Sequence, residues 1–145
     1  EKVLVLDNIQ DPGNFGTIIR SALAFNFKTI IISNDTVDLY NPKVIQASQG
    51  SIFKVNVIRE DKETIFNLLK DYQIVVTALK KAVDYKTIEI PNKLALVLGN
   101  EGNGVSSFFL NKAHNIIKII HNPEIESLNV ATAGAILLNY FQNNS

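Results

Sequence analysis

An α/β fold, a mainly parallel sheet flanked by helices, is what this sequence predicts, on three observations. Short β-branched apolar runs recur along the 145 residues, helix-period patterns lie between them, and polar or glycine-rich stretches sit directly beside the runs. Alternating strand and helix imply parallel strands joined by crossovers. Runs without internal polar alternation imply strands buried on both faces.

The elements follow in order. Val3 to Leu6 is the first strand; Asp11, Pro12 and Gly13 then turn the chain into a helix over Phe15 to Phe25, with Asn14 as its expected cap. Thr29 to Ile32 is the second strand. Asn41-Pro42, Lys43 to Gln49 and then Gly50 read as a short helix with proline in its first turn and glycine past its end. Val55 to Ile58 is a strand, Asp61 caps a helix over Lys62 to Tyr72, and Ile74 to Ala78 and Leu94 to Leu98 are strands. Ser106 caps a short helix through Phe108 and Phe109, Ile116 to Ile120 is the last strand, and Ser127 is the expected cap of a final helix over Leu128 to Phe141. No repeat, low-complexity tract or linker interrupts the pattern, so residues 1–145 read as one domain.

Composition narrows the function. Hydrophobic content of 46% with 19% charged residues is typical of soluble proteins, and no apolar run approaches the ~20 residues needed to span a bilayer. The chain has no cysteine, and His114 and His121 belong to no zinc-ligand pattern, so neither a disulfide frame nor a metal is expected. No signal-peptide pattern opens the chain, which argues for a cytoplasmic location. Glu1 runs straight into the first strand and methionine is absent, as in a fragment whose N-terminal part is missing. Zero net charge counts against a free-standing nucleic-acid binder.

Three stretches carry candidate chemistry. The first runs from Asp7 through Asn8, Asp11, Asn14 and Gly16 to Arg20. Arg20 lies about 9 Å along the helix from Asn14; alone, such an arginine is a solvated residue, but its apolar neighbours Ile18, Ile19, Ala22 and Leu23 leave it wanting an anionic partner. The second stretch, Gly99-Asn100-Glu101-Gly102-Asn103-Gly104, is neither a dinucleotide fingerprint nor a P-loop. Its glycines let backbone approach a ligand closely, and Glu101 is dispensable in a mere turn. The third, Glu126-Ser127-Leu128-Asn129-Val130, opens a helix, where it serves equally as an N-cap or as an anion site.

Taken in this order, the stretches resemble the three motifs of the SpoU/TrmH family of RNA 2′-O-ribose methyltransferases, in the SPOUT superfamily. The resemblance rests on Asn8, Asp11, Asn14, Gly16 and Arg20, on Gly99, Asn100, Glu101, Gly102 and Gly104, and on Ser127, Leu128, Asn129 and Val130. It covers the chain from Val3 to Leu138. Two departures stand out: Ile119-Ile120-His121-Asn122-Pro123 where the family has an Ile-Pro-Met-x-Gly run, and Ala131 where it often has serine.

The resemblance implies a parallel sheet with a C-terminal deep trefoil knot, S-adenosyl-L-methionine as methyl donor, rRNA or tRNA as substrate, and a homodimer with active sites at the subunit interface. It implies donor contacts at Gly99, Ile119 and Leu128, largely through backbone, with Leu98 and Ser127 adjacent. Its catalytic candidates are Arg20, Asn14 and Glu101, with Asn129 supporting. The alternative is a catalytically idle RNA-binding or dimerisation module of the same fold.

Overall fold

The computed structural model describes residues 1–143. Seven parallel strands form one sheet in the order β3-β2-β1-β6-β4-β7-β5, from β1 (Lys2–Asp7), β2 (Thr29–Ser33), β3 (Asn56–Glu60), β4 (Gln73–Thr77), β5 (Val83–Asp84), β6 (Leu94–Gly99) and β7 (Asn115–Lys118). The expected parallel sheet is therefore present. The two-residue edge strand β5 has no counterpart among the expected strands, being too short to show a period. Ile119 and Ile120, expected in the last strand, lie beyond it and enter the loop that follows.

Burial on both faces follows from the strand sequences. In β1 and β6, Leu4, Leu6, Leu94, Leu96 and Leu98 face one side, where they join Ile18 and Ile19 of α1 (Pro12–Ala24), Val44 of α2 (Pro42–Ser48) and Leu137 and Leu138 of α5 (Val130–Asn143). Val3, Val5, Ala95 and Val97 face the other side and pack with Ile65 of α3 (Lys62–Leu68) and Phe109 of α4 (Ser107–Lys112). Each fully buried leucine or valine contributes roughly 1.5–3 kcal/mol.

Helix starts differ from expectation by a few residues, for a common reason. Asp11, not Asn14, caps α1: its carboxylate accepts the Asn14 N–H at 2.8 Å, and Pro12 fills the first turn. Asn129, not Ser127, caps α5, accepting N–H bonds from Ala131 at 2.9 Å and Thr132 at 3.1 Å. In both cases several polar residues precede the helix, and the one whose oxygen reaches the second or third amide does the capping. Asp61 caps α3 as expected. That helix stops at Leu68, where i to i+3 bonds from Leu69 and Tyr72 tighten the chain into a turn. α1 ends with Asn26 in the left-handed region, its own N–H reaching Leu23 O and the next reaching Ala22 O, a Schellman closure.

Gly16 sets the distance between α1 and α2. A Cβ there would lie 2.5 Å from Val44 O and 2.6 Å from Ala47 Cβ, so only glycine permits this packing.

Candidate active site

β1 and β6 are neighbours, yet the chain leaves β1 towards β2 and β3 on one side while β4 and β7 lie on the other. Ligands of open α/β sheets bind outside the carboxyl ends of strands at such a reversal. Register pairs Asp7 with Gly99, so the loops that follow β1 and β6 emerge side by side. The first two sequence stretches meet there.

The loop after β6 is folded by its own side chains. Gly99 abuts the returning chain: a Cβ would fall 2.2 Å from Val105 N and 2.4 Å from Gly104 C. Asn100 and Gly104 form an antiparallel bridge, and the Asn100 Oδ1 accepts N–H bonds from Gly102 and Asn103, both at 2.9 Å.

Three side chains tie this loop to the one after β1. Asn100 Nδ2 donates to Asn8 O at 2.8 Å. Glu101 accepts the Asp11 N–H on Oε2 at 2.9 Å and the Gln10 N–H on Oε1 at 3.2 Å. Buried Asp7 accepts the Ser106 N–H on Oδ2 at 2.7 Å. Its Oδ1 lies 3.3 Å from the Lys62 ammonium, close enough for ion pairing but without hydrogen-bond geometry. Asn8 adopts φ 60°, a conformation asparagine tolerates, and its N–H donates to Ser33 Oγ at 2.8 Å. From the far side, Gln10 Nε2 donates to Asp35 O, in a loop pinned by Arg59 through the carbonyls of Ser33, Asn34, Thr36 and Val37.

A cavity of about 190 Å³ opens between the ends of β4, β6 and β7 and the start of α5. Leu98, Gly99, Ile119, Ser127 and Leu128, the five donor-binding candidates, all line it, and Glu101 borders it. One departure from the family motif, the Ile119 to Pro123 run, contributes Ile119 and His121 to its lining. Asn122 accepts N–H bonds from Glu124 on Oδ1 at 2.8 Å and from Ile125 on its carbonyl at 3.0 Å, so the chain turns at Pro123 without a glycine, and His121 is left lining the pocket. A second, larger cavity, lined by Gln73, Ile88, Pro91 and Asn115, lies at the amino ends of β4 and β7, the wrong end for the motifs.

The four catalytic candidates divide. Asn129 Nδ2 donates to Asn14 Oδ1 at 3.1 Å, joining the mouths of α1 and α5, while Glu101 holds the loop that leads into α1. Arg20 stands apart. It is exposed, does not line the cavity, and makes no hydrogen bond or ion pair with any described residue. Sequence reasoning missed the β4 wall, Thr77 to Leu79, and also Lys118, Ala133 and Leu137. Nothing local marks them, because it is sheet order that brings β4 beside β6.

Fold and pocket define an α/β domain with an open cavity at the carboxyl ends of a parallel sheet, against a glycine-rich loop. The chain belongs to the SpoU rRNA Methylase family, whose profile matches residues 1–139. It is 38% identical over 139 residues to the 23S rRNA (guanosine(2553)-2'-O)-methyltransferase RlmP of Bacillus subtilis, an alignment covering 94% of this chain and 56% of that protein. Among solved structures, the AdoMet-bound rRNA methyltransferase of Sinorhizobium meliloti superposes with a TM-score of 0.94 at 33% identity, over 99% of this chain and 56% of that one. The A. aeolicus TrmH/SpoU tRNA modifying enzyme superposes with a TM-score of 0.87 at 26% identity, over 99% of this chain and 74% of that one. The chain thus spans little more than half the length of its Bacillus relative.

Proposed function

We propose that this chain is the catalytic domain of an RNA methyltransferase that moves a methyl group from S-adenosyl-L-methionine to a ribose 2′-hydroxyl of rRNA or tRNA in the cytoplasm. One observation carries the reading: the five donor-binding candidates, two at the end of β6 and three from the segment between Ile119 and Leu128, line one cavity. The reading includes the family's C-terminal trefoil knot and an N-terminal part that adds RNA affinity to this chain of zero net charge. The fit to the donor is chemical. Apolar walls at Leu98, Ile119 and Leu128 suit an adenine and a thioether chain, and the close turn at Gly99 leaves backbone groups beside them.

When bound, the donor supplies an electrophilic methyl whose sulfonium leaves as a neutral thioether, so no general acid is needed. The protein's work is alignment of the ribose oxygen and disposal of its proton. Arg20 is a poor base, because deprotonating a guanidinium with a pKa above ~12 at neutral pH costs about 7 kcal/mol. Its fork suits the RNA phosphate beside the target ribose, where it steadies charge developing on oxygen. Glu101 has an oxygen on each of two backbone N–H groups, so its part is to position the Asn8 to Asp11 loop; the ribose proton turns strongly acidic as its oxygen takes the methyl, and it leaves to water beside the phosphate that Arg20 holds. Asn14 and Asn129 position the two helix mouths against each other.

Arg20 lies outside its own chain's pocket, which supports a homodimer in which each subunit's Arg20 completes the other's site. Titration calorimetry with S-adenosylmethionine and transfer of labelled methyl to hypomethylated cellular RNA test the reading. Binding at micromolar to low-millimolar levels and alkali-resistant methylated dinucleotides are the expected results. A chain that binds RNA but takes up no donor would instead be an idle module of the same fold. Near-wild-type turnover in Arg20→Lys would reject the bidentate clamp.

A further inference from the structure

Two aromatic rings stand in solvent away from the cavity. Phe53 is 74% exposed and Tyr40 68%, the highest values among the large apolar side chains described. They bracket α2, a helix of seven residues and about 10 Å: Tyr40 precedes its cap, Asn41, and Phe53 ends the single 3-10 turn, Ser51–Phe53, that follows it. Both α2 and that turn pack on α1. Arg20 follows Gly16 by four residues and so shares the flank of α1 that meets α2.

Charge is concentrated in the same segment. Residues 12–59 hold five cations (Arg20, Lys28, Lys43, Lys54, Arg59) and two carboxylates (Asp35, Asp38), a net +3 in a chain whose total is zero. Arg59 is spent on backbone carbonyls, but the other four side chains are exposed and make no ion pair with any described residue. Asp38 sits at the Tyr40 end, accepting the Tyr40 N–H at 3.2 Å, so the positive field strengthens towards Phe53.

We propose that the strip over α1, α2 and the Ser51–Phe53 turn docks single-stranded RNA, with bases stacking on Phe53 and Tyr40 and phosphates held by Arg20, Lys28, Lys43 and Lys54. Exposed aromatics set among unpaired cations are what a sequence-tolerant single-strand surface requires. A second copy of the chain fits worse, because a two-fold contact through this strip sets its cations against themselves. The proposal rests on the RNA reading of Arg20 and extends the substrate path beyond the reacting ribose.

The test is the affinity of the 145-residue chain for a fluorescently labelled, mixed-sequence single-stranded RNA oligonucleotide across a salt series. Phe53→Ala is expected to weaken binding about tenfold with the salt slope unchanged. Lys43→Gln combined with Lys54→Gln should make that slope shallower by about 1.4, at ~0.7 per lost phosphate contact. These side chains are exposed, so thermal melts should match wild type. Donor calorimetry on the same samples separates the claims: failure to bind donor with the RNA effects intact sinks methyl transfer and leaves the strip standing. Unchanged RNA affinity in both variants overturns the strip. So does sedimentation showing that Phe53→Ala splits a dimer while RNA affinity stays put, since a second copy would then be the occupant.

Discussion

Replacing Glu101 separates a positioning carboxylate from a proton acceptor. Its two oxygens each take a backbone N–H, from Asp11 at 2.9 Å and Gln10 at 3.2 Å. Charge-assisted bonds of this kind contribute roughly 1.5–3 kcal/mol each when buried; the site is partly solvated and the freed amides can turn to water, so about 1 kcal/mol per bond is a fair figure here. Glu101→Ala loses both, about 2 kcal/mol, or roughly 30-fold in the population of the ordered loop. Glu101→Gln keeps one acceptor and loses one bond, roughly fivefold. A general base behaves otherwise: Gln and Ala are then equally inert, at about 10²–10⁴-fold. Single-turnover transfer of labelled methyl to hypomethylated RNA, together with amide exchange at Gln10 and Asp11, measures both sides. The reasoning predicts an intermediate Gln rate and faster exchange at both amides, with the Gln10 amide affected first because its bond is longer. Equal loss in Gln and Ala with unaltered amide protection would refute it.

Further outcomes follow from the same geometry. Gly99→Ala forces a Cβ to 2.2 Å from Val105 N, so it should abolish donor heat in calorimetry and cost about 2 kcal/mol or more in a denaturant melt. Asn129→Asp keeps the oxygen that caps α5 but loses the amide that reaches Asn14; stability should hold within a few tenths of a kcal/mol while turnover falls. Asn129→Ala should lose about 1 kcal/mol as well, and equal melts for the two variants would count against the cap. The Tyr72 phenol, hydrogen-bonded to the Glu1 carboxylate at 2.7 Å and partly buried, is pushed up to about 12. A raised folded value favours the protonated phenol, so this contribution to stability is complete below the ordinary value near 10 and is lost as pH rises through about 12. Ultraviolet titration should show one late tyrosine that returns to the ordinary range in Glu1→Gln.

Much of this molecule is written locally. Apolar runs such as Val3 to Leu6 and Leu94 to Leu98 found their strands to within about a residue, because burial on both faces demands an unbroken apolar stretch. Local pattern is ambiguous where several solutions compete: Asn14 and Ser127 are as plausible as caps as Asp11 and Asn129, and only backbone geometry chooses between them. Residue type also pointed to the site, since Glu101 is dispensable in a mere turn, whereas the glycines and asparagines beside it fold the loop.

What those residues do was decided by contacts that cross the chain. Glu101 meets Asp11 at a separation of 90 residues and Asn129 meets Asn14 at 115, and both meetings exist because β6 lies beside β1 and α5 packs on α1. By itself the sequence determined six of the seven strands, the helices to within a few residues, the family and the chemical types gathered in its motifs, all of which depend on near neighbours. Only the tertiary structure turned Glu101 into a clamp, closed a pocket from Leu98 to Leu128 and left Arg20 outside it, because strand order follows from the packing of whole elements, which no local pattern encodes.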